Sequence, residues 1–318
     1  PTPPLRETPP PSVAPAGPTE VQLAPPRLAL ASHRHPLARQ HAEKAVALLP
    51  DDPRGYEMLG LALDEAGEEG PAMVAYREAV SRKSQDFQPY FRQGQALQTA
   101  ADGQLSAEDA RAAARFYQQA INRHSYHLAS YQNLAGLAGS LEGPTDHLHP
   151  FLERGRQLFP SDGMIPLGLA LLEKKKGNDE AADALLNGVL QTADRQESWI
   201  RDYATKLEEH WRHDRLLTEI QQRAEQRDYA GALALVERAL DGGNNVKILT
   251  ELLARKRDLL SAIRMTEAQA ALNARNWPEA RRILEEVVGS DASLSSKVTA
   301  RRWLAELERR TLRPAKSR

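Results

Sequence analysis

Between Pro53 and Ser84 the large apolar residues fall into two stripes of helical spacing. Tyr56, Leu59 and Leu63 recur at the three-and-four spacing that lines one side of an α-helix, and Ala72 and Tyr76 start a second stripe. The connection Glu65-Ala66-Gly67 ends in a glycine suited to the left-handed position that closes a helix, and Gly70-Pro71 suits the first turn of the next. Two short antiparallel helices are predicted. Gly60 and Ala72 are small enough to let them approach, and the aromatic and leucine side chains fill what lies between them and the following pair.

The same arrangement recurs along the chain. Residues 36–49 carry the Ala and Leu spacing of a second helix whose partner has to come from Arg27 to His33, and Pro50 stands 34 residues before Ser84, at the same place in the period. A second unit places Tyr90, Gly94 and Leu97 on one helix and Ala113, Tyr117 and Ala120 on the next. Seven extra residues fall around Ala101–Ser106, with Ser106 and Asp109 spaced as a helix start. A third unit has Tyr131 and Leu134, Ala135 in the glycine place, Leu148 and Leu152 in the places of alanine and aromatic, and a long, loose turn from Gly139 to Pro150. In a fourth, Leu169-Ala170, Gly177, Ala182, Leu186 and Val189 restore the spacing. Beyond Gln191 the period lapses. Neither Gly nor Pro interrupts residues 193–230 or 244–277, so each stretch can hold one helix of about 30 residues, roughly 45 Å long. Each leads into a turn and a shorter helix, at Ala232 and at Ala280, and a last helix over about Ser295–Arg310 caps the array.

Tyr56, Leu59-Gly60, Leu63, Ala72 and Tyr76 together resemble the tetratricopeptide repeat (TPR) pattern, clearest over residues 36–194 and degenerate beyond. The resemblance implies an all-α, TPR-like superhelical solenoid, with longer helices in its C-terminal half. Four segments result: a Pro-rich linker over 1–27, which holds ten of the 21 prolines, repeats over 28–194, long-helix degenerate repeats over 195–310, and a basic tail over 311–318.

Composition narrows the function. The 42 basic and 43 acidic residues nearly cancel, so no field across the whole chain favours nucleic acid. Cysteine is absent, which removes disulfides, thiolate nucleophiles and cysteine-based zinc sites. No apolar run approaches about 18 residues, so no membrane span is expected; cytoplasm and periplasm both stay open, and the Ala/Arg-rich composition fits a bacterial source.

No nucleotide-binding or hydrolase fingerprint is present, no cofactor is expected, and catalysis by this chain has no motif behind it. His210 with His213, Asp146-His147-Leu148-His149, and His124 with His127 have ligand-type residues but no third or fourth ligand set by spacing, so ordinary surface roles are favoured over metal. Lys174-Lys175-Lys176 precedes Gly177, where cations oppose a helix C-terminus. In the resembled family the concave groove is lined by the first helix of each pair, which implies a peptide-binding set of Arg54, Glu57, Gln88, Phe91, Gln95, Gln98, Met164 and Leu167. Glu57 and Leu61 stand where chaperone-tail binders carry Lys and Asn, which disfavours that partner. The expected function is a non-catalytic scaffold for a protein or peptide, within a larger assembly. The alternative is a regulatory or substrate-positioning module of an enzyme whose catalytic domain precedes residue 1. Self-association into a homo-oligomer is open, and the C-terminal half is expected to extend, cap or dimerise the array.

Overall fold

The computed structural model describes residues 18–31, 34–99, 105–242 and 246–311. Helix follows helix in antiparallel pairs. In order they are α1 (Pro18–Ala31), α2 (His35–Leu48), α3 (Pro53–Glu65), α4 (Glu69–Ser81), α5 (Gln88–Thr99), α6 (Ala107–Arg123), α7 (Leu128–Leu137), α8 (His149–Leu158), α9 (Met164–Lys176), α10 (Asp179–Gln191), α11 (Ser198–Glu225), α12 (Tyr229–Asp241), α13 (Val246–Asn273), α14 (Trp277–Gly289) and α15 (Leu294–Thr311). The fold is the TPR-like helical array that the spacing predicts, and α11 and α13 are the expected long helices, each of 28 residues. The chain divides into two compact units, with the division inside α11 between Ala204 and Thr205.

Within the first unit, close helix approach is set by glycine against tyrosine. A Cβ on Gly60 of α3 would stand 2.6 Å from the Tyr76 ring of α4, and one on Gly94 of α5 would stand 2.7 Å from the Tyr117 ring of α6. Both tyrosines are fully buried. In the third pair the roles exchange: glycine comes from α8, as Gly155, and the ring from α7, as Tyr131. The expected glycine place, Ala135, instead receives Gly168 of α9, whose added Cβ would fall 2.5 Å from the Ala135 Cβ. Small residues still set the spacing, but on different partners.

A second device joins successive pairs. Arg82, just after α4, lays its guanidinium 4.2 Å from the Tyr56 ring centroid and donates from Nε to the Pro50 carbonyl at 2.6 Å. One repeat later, Arg123 lies 3.7 Å from the Tyr90 ring and donates to the Ser84 carbonyl at 2.9 Å and to the Tyr90 hydroxyl at 2.8 Å. Pro50 and Ser84 are the two repeat-ending residues of the sequence period, so each arginine ties one repeat's exit to the next repeat's first aromatic.

Helix ends follow their chemistry. Gly67 and Gly177 take positive φ, as glycine permits, while Lys83, Arg227 and Arg275 hold the equivalent left-handed position at φ 59°, 63° and 58°. At all five this residue's own backbone N–H and the next one fold back onto the last helical turn, as with Gly67 to Asp64 and Glu68 to Leu63. The Ser106 hydroxyl accepts from the Asp109 N–H at 3.1 Å, giving the predicted start of α6.

Two expectations change. The linker assigned to residues 1–27 does not extend through 18–27, which are helical in α1 despite Pro25 and Pro26. Proline inside a helix costs about 3 kcal/mol, but α1 packs Leu23 against Ala42, Ala45 and Met58, and Ala29 against Ala38 and Ala62. Burial outweighs propensity there, and α2 gains a full-length partner. Residues 1–17 lie outside the described residues. The turn from Gly139 to Pro150 is not loose: Leu141, Thr145 and Leu148 are buried, Asp146–Leu148 forms a 3-10 turn, and Lys175 Nζ donates to the Gly139 carbonyl at 2.9 Å. The predicted insertion after Ala100 falls largely at residues 100–104, and the basic tail at 312–318, both outside the described residues.

The second unit has its own cores. Ile220 of α11, Val236 of α12, and Leu252 and Leu259 of α13 form one; Ala268 of α13, Leu284 and Val287 of α14, and Ala300 of α15 form another.

Candidate functional site

The predicted groove residues fall on α3, α5 and α9, where the structure gives them different employments. Arg54 belongs to the start of α3: its N–H and guanidinium both bond to the capping Asp52, with Nη2 to Oδ2 at 2.7 Å. Glu57, one turn on and half-buried, accepts from the Ser84 hydroxyl at 2.6 Å. Burial raises its pKa, and the Asp86 and Asp52 charges add to that. Gln88 opens α5 with its N–H on the Asp86 carboxylate at 2.7 Å. These three predicted residues are brought together around two neighbouring clefts. One, of about 880 Å³, is bordered by Arg54, Glu57 and Asp86, and the other, of about 290 Å³, by Glu57, Asp86, Phe87 and Gln88.

Farther along α5 the predicted side chains are already partnered. Phe91 packs edge-on against His127 at 4.6 Å between ring centroids and lies 5.9 Å from Tyr117. His127 also lies 4.4 Å from Phe87, and its burial, with the nearby His124, lowers its pKa. Gln95 accepts from Arg92 Nη1 at 2.9 Å, and Gln98 accepts from the Tyr117 hydroxyl. Met164 and Leu167 on α9 are 6% and 0% exposed, and Met164 lies close to Gly136 of α7. Both are core residues, so the groove reading does not extend to them. The fourth pair departs from the template because α9 packs directly on α7, which turns its apolar stripe inward.

Arg92 was not among the predicted residues, yet it bridges the face. Its Nη2 donates to Asp64 of α3, and its Nε is buried without an acceptor. A buried guanidinium N–H left unpaired is costly, and it offers a donor to an incoming carbonyl. The spacing Gln88-Arg92-Gln95 put Arg92 on this side of α5, but its pairing with Asp64, 28 residues earlier, needs the fold.

Several of the predicted histidines lie against carboxylates. His210 lies 3.4 Å from Asp214, His213 lies 3.5 Å from Glu251, and His149 lies 3.2 Å from Glu173. Glu173 also accepts from Asn178 at 2.7 Å and from Lys176 at 3.2 Å; the Asn178 amide, ahead of Lys176, holds its carboxyl below the usual range. Among the described residues no group of three or more such side chains is placed to hold a metal. Lys174, Lys175 and Lys176 serve the end of α9, through Asp179, the Gly139 carbonyl and Glu173.

No family model matches the chain. A curated relative, cellulose synthase operon protein C of Xanthomonas axonopodis pv. citri (strain 306), is 30% identical over 162 residues, which are 48% of this chain and 10% of the relative. The chain thus spans about a tenth of that relative's length. Among solved structures, it is similar to YrrB, a TPR protein with an unusual peptide-binding site, at 14% identity and TM-score 0.45 over 58% of this chain and 90% of that one. It is also similar to a tetratricopeptide repeat protein from Parabacteroides merdae ATCC 43184, at 12% identity and TM-score 0.39 over 91% and 98% of the two chains. Among the described residues no helix is long and apolar enough to cross a membrane.

Proposed function

We propose that this chain is a non-catalytic helical-repeat scaffold that binds a protein or peptide segment along the face shared by α3 and α5, as part of a larger assembly. The observation that carries this reading is the run of polar groups from α3 across the loop before α5 onto α5. Glu57, Asp86 and Gln88 border the neighbouring clefts, and one helical turn farther along α5, Arg92 keeps a buried N–H without an acceptor among the described residues. An extended segment laid there meets carboxylates at one end and amide and guanidinium donors at the other. Phe91, Gln95 and Gln98 then act mainly by holding the face in shape through His127, Arg92 and Tyr117. The identity to a cellulose synthase operon protein supports an assembly that serves cellulose synthesis.

Site-directed photocrosslinking tests this. A photoreactive residue at Gln88 is expected to capture a partner protein in cells of the source organism, whereas one at the exposed Val74 of α4 is not. Equal capture at both positions, or none at Gln88, contradicts the groove assignment.

A further inference from the structure

On the other helix of the second pair, α6 carries two arginines that no described residue pairs with. Arg111 and Arg115 stand at i, i+4, so their side chains are neighbours on the helix surface, and among the described residues neither has a hydrogen bond or an ion pair. Like charges at this spacing destabilise an isolated helix by roughly 0.2–0.5 kcal/mol. Arg39, Arg82 and Arg156, by contrast, are ion-paired, with Glu68, Glu78 and Glu153.

The two arginines border a cleft of about 280 Å³ whose opposite wall is the buried turn after α7, with Glu142, Thr145 and His147. Thr145 is 6% exposed and occupies the capping position of the 3-10 turn, yet among the described residues its hydroxyl makes no capping bond and has no other partner. A hydroxyl at that position ordinarily bonds the helix's own N–H groups. Here the unused hydroxyl of a nearly buried threonine and two guanidiniums unpaired among the described residues border one small cavity. Glu142 is its one carboxylate, and Lys175 lies close enough to Glu142 for their charges to interact. The cavity wall therefore carries net positive charge.

We propose that this cleft is an oxyanion subsite that takes a carboxylate from an acidic segment of a protein partner. Planar guanidiniums hold carboxylates through paired N–H donors, the Thr145 hydroxyl supplies a further donor, and the His147 ring closes the rim. The site lies on α6 and the α7–α8 turn, away from the α3–α5 face, and does not depend on the function proposed for that face.

The test is a calorimetric titration of the whole chain with a terminally blocked hexa-glutamate peptide at low salt, with inorganic phosphate as a competing oxyanion. Wild-type protein is expected to bind the peptide and to release it as phosphate is added. Arg111→Gln/Arg115→Gln is expected to lower the affinity at least tenfold and Thr145→Val about threefold, while Arg77→Gln, at an exposed arginine of α4, leaves it unchanged. Circular dichroism of each variant confirms the fold. Gln88→Ala should bind the peptide as wild type does, which separates this site from the α3–α5 face. No peptide binding by wild type, or an equal loss in Arg77→Gln, overturns the proposal in favour of diffuse surface attraction; binding of phosphate alone overturns the acidic-segment assignment.

Discussion

Substituting Gly60 by alanine tests the close approach on which the repeat template depends. The added methyl would lie 2.6 Å from both Cδ1 and Cε1 of Tyr76, against the 3.4–4 Å of an ordinary contact. The ring is 0% exposed, with Ala72, Ala75 and Leu63 packed in the same core, so it has nowhere to move without displacing a helix. Forcing a methyl into a packed core costs about 1–3 kcal/mol. Against this, alanine improves on glycine inside a helix by about 1 kcal/mol. Gly188, inside α10 with no atom within 4 Å of an added Cβ, isolates that second effect. Gly188→Ala should therefore stabilise by about 0.5–1 kcal/mol and Gly60→Ala should destabilise by about 1–2 kcal/mol. Urea unfolding followed by far-UV circular dichroism measures both. All four tryptophans lie at position 199 or later, so their fluorescence does not report on α3 and α4, and hydrogen exchange of peptides from those helices supplies the local readout. In a Tyr76→Leu background the methyl has room, and Gly60→Ala should become neutral or stabilising. A coupling energy within about 0.5 kcal/mol of zero, or a Gly60→Ala protein as stable as Gly188→Ala, would refute the packing argument.

Three further outcomes are expected. Arg123→Met removes the stacking on Tyr90 and the bonds to Ser84 and Tyr90, and should cost about 2 kcal/mol, with hydrogen-exchange protection lost first at the α4–α5 junction. Arg227→Gly and Arg275→Gly relieve left-handed backbone at positions that also end helices, and each should raise stability by about 0.5–1 kcal/mol in thermal unfolding; a loss in both would show that the cationic side chains matter more than the backbone. Glu57 carries a pKa raised by burial, so the folded state holds its proton more tightly than the unfolded state. Its contribution is favourable below the unfolded carboxyl pKa and is lost as pH rises through the folded value. Glu57→Gln, which keeps an oxygen for the Ser84 hydroxyl, should therefore raise the urea midpoint at pH 7 more than at pH 4; an equal change at the two pH values would mean that burial of the charge is not what matters.

The candidate site was less legible than the fold. Helical spacing put Arg54, Glu57 and Gln88 beside one another, and in the structure they border neighbouring clefts, because one face of a helix is a local property of the chain. It could not tell that Phe91 would be covered by His127, or that Gln95 and Gln98 would be held by Arg92 and Tyr117, since those partners arrive from elsewhere in the sequence. It failed at Met164 and Leu167, where the face available to a partner depends on which neighbour α9 meets. The cleft at Arg111, Arg115 and Thr145 carried no sequence signal, because 30 residues separate Arg115 from Thr145 and only the turn after α7 brings them to one wall.

What the sequence determined by itself is the succession of helices: periodic apolar residues, helix-ending glycines and unbroken stretches of about 30 residues act within a few turns of chain, so they can be read without knowing the neighbours. Tertiary structure decided the rest. It made a helix across Pro25 and Pro26 by burying Leu23, exchanged glycine and tyrosine between the helices of the third pair, and fixed the turn after α7 through Leu148 and Lys175. Each of these outcomes depends on contacts whose free energy exceeds the local preference of the residues involved, and such contacts exist only once distant helices have packed.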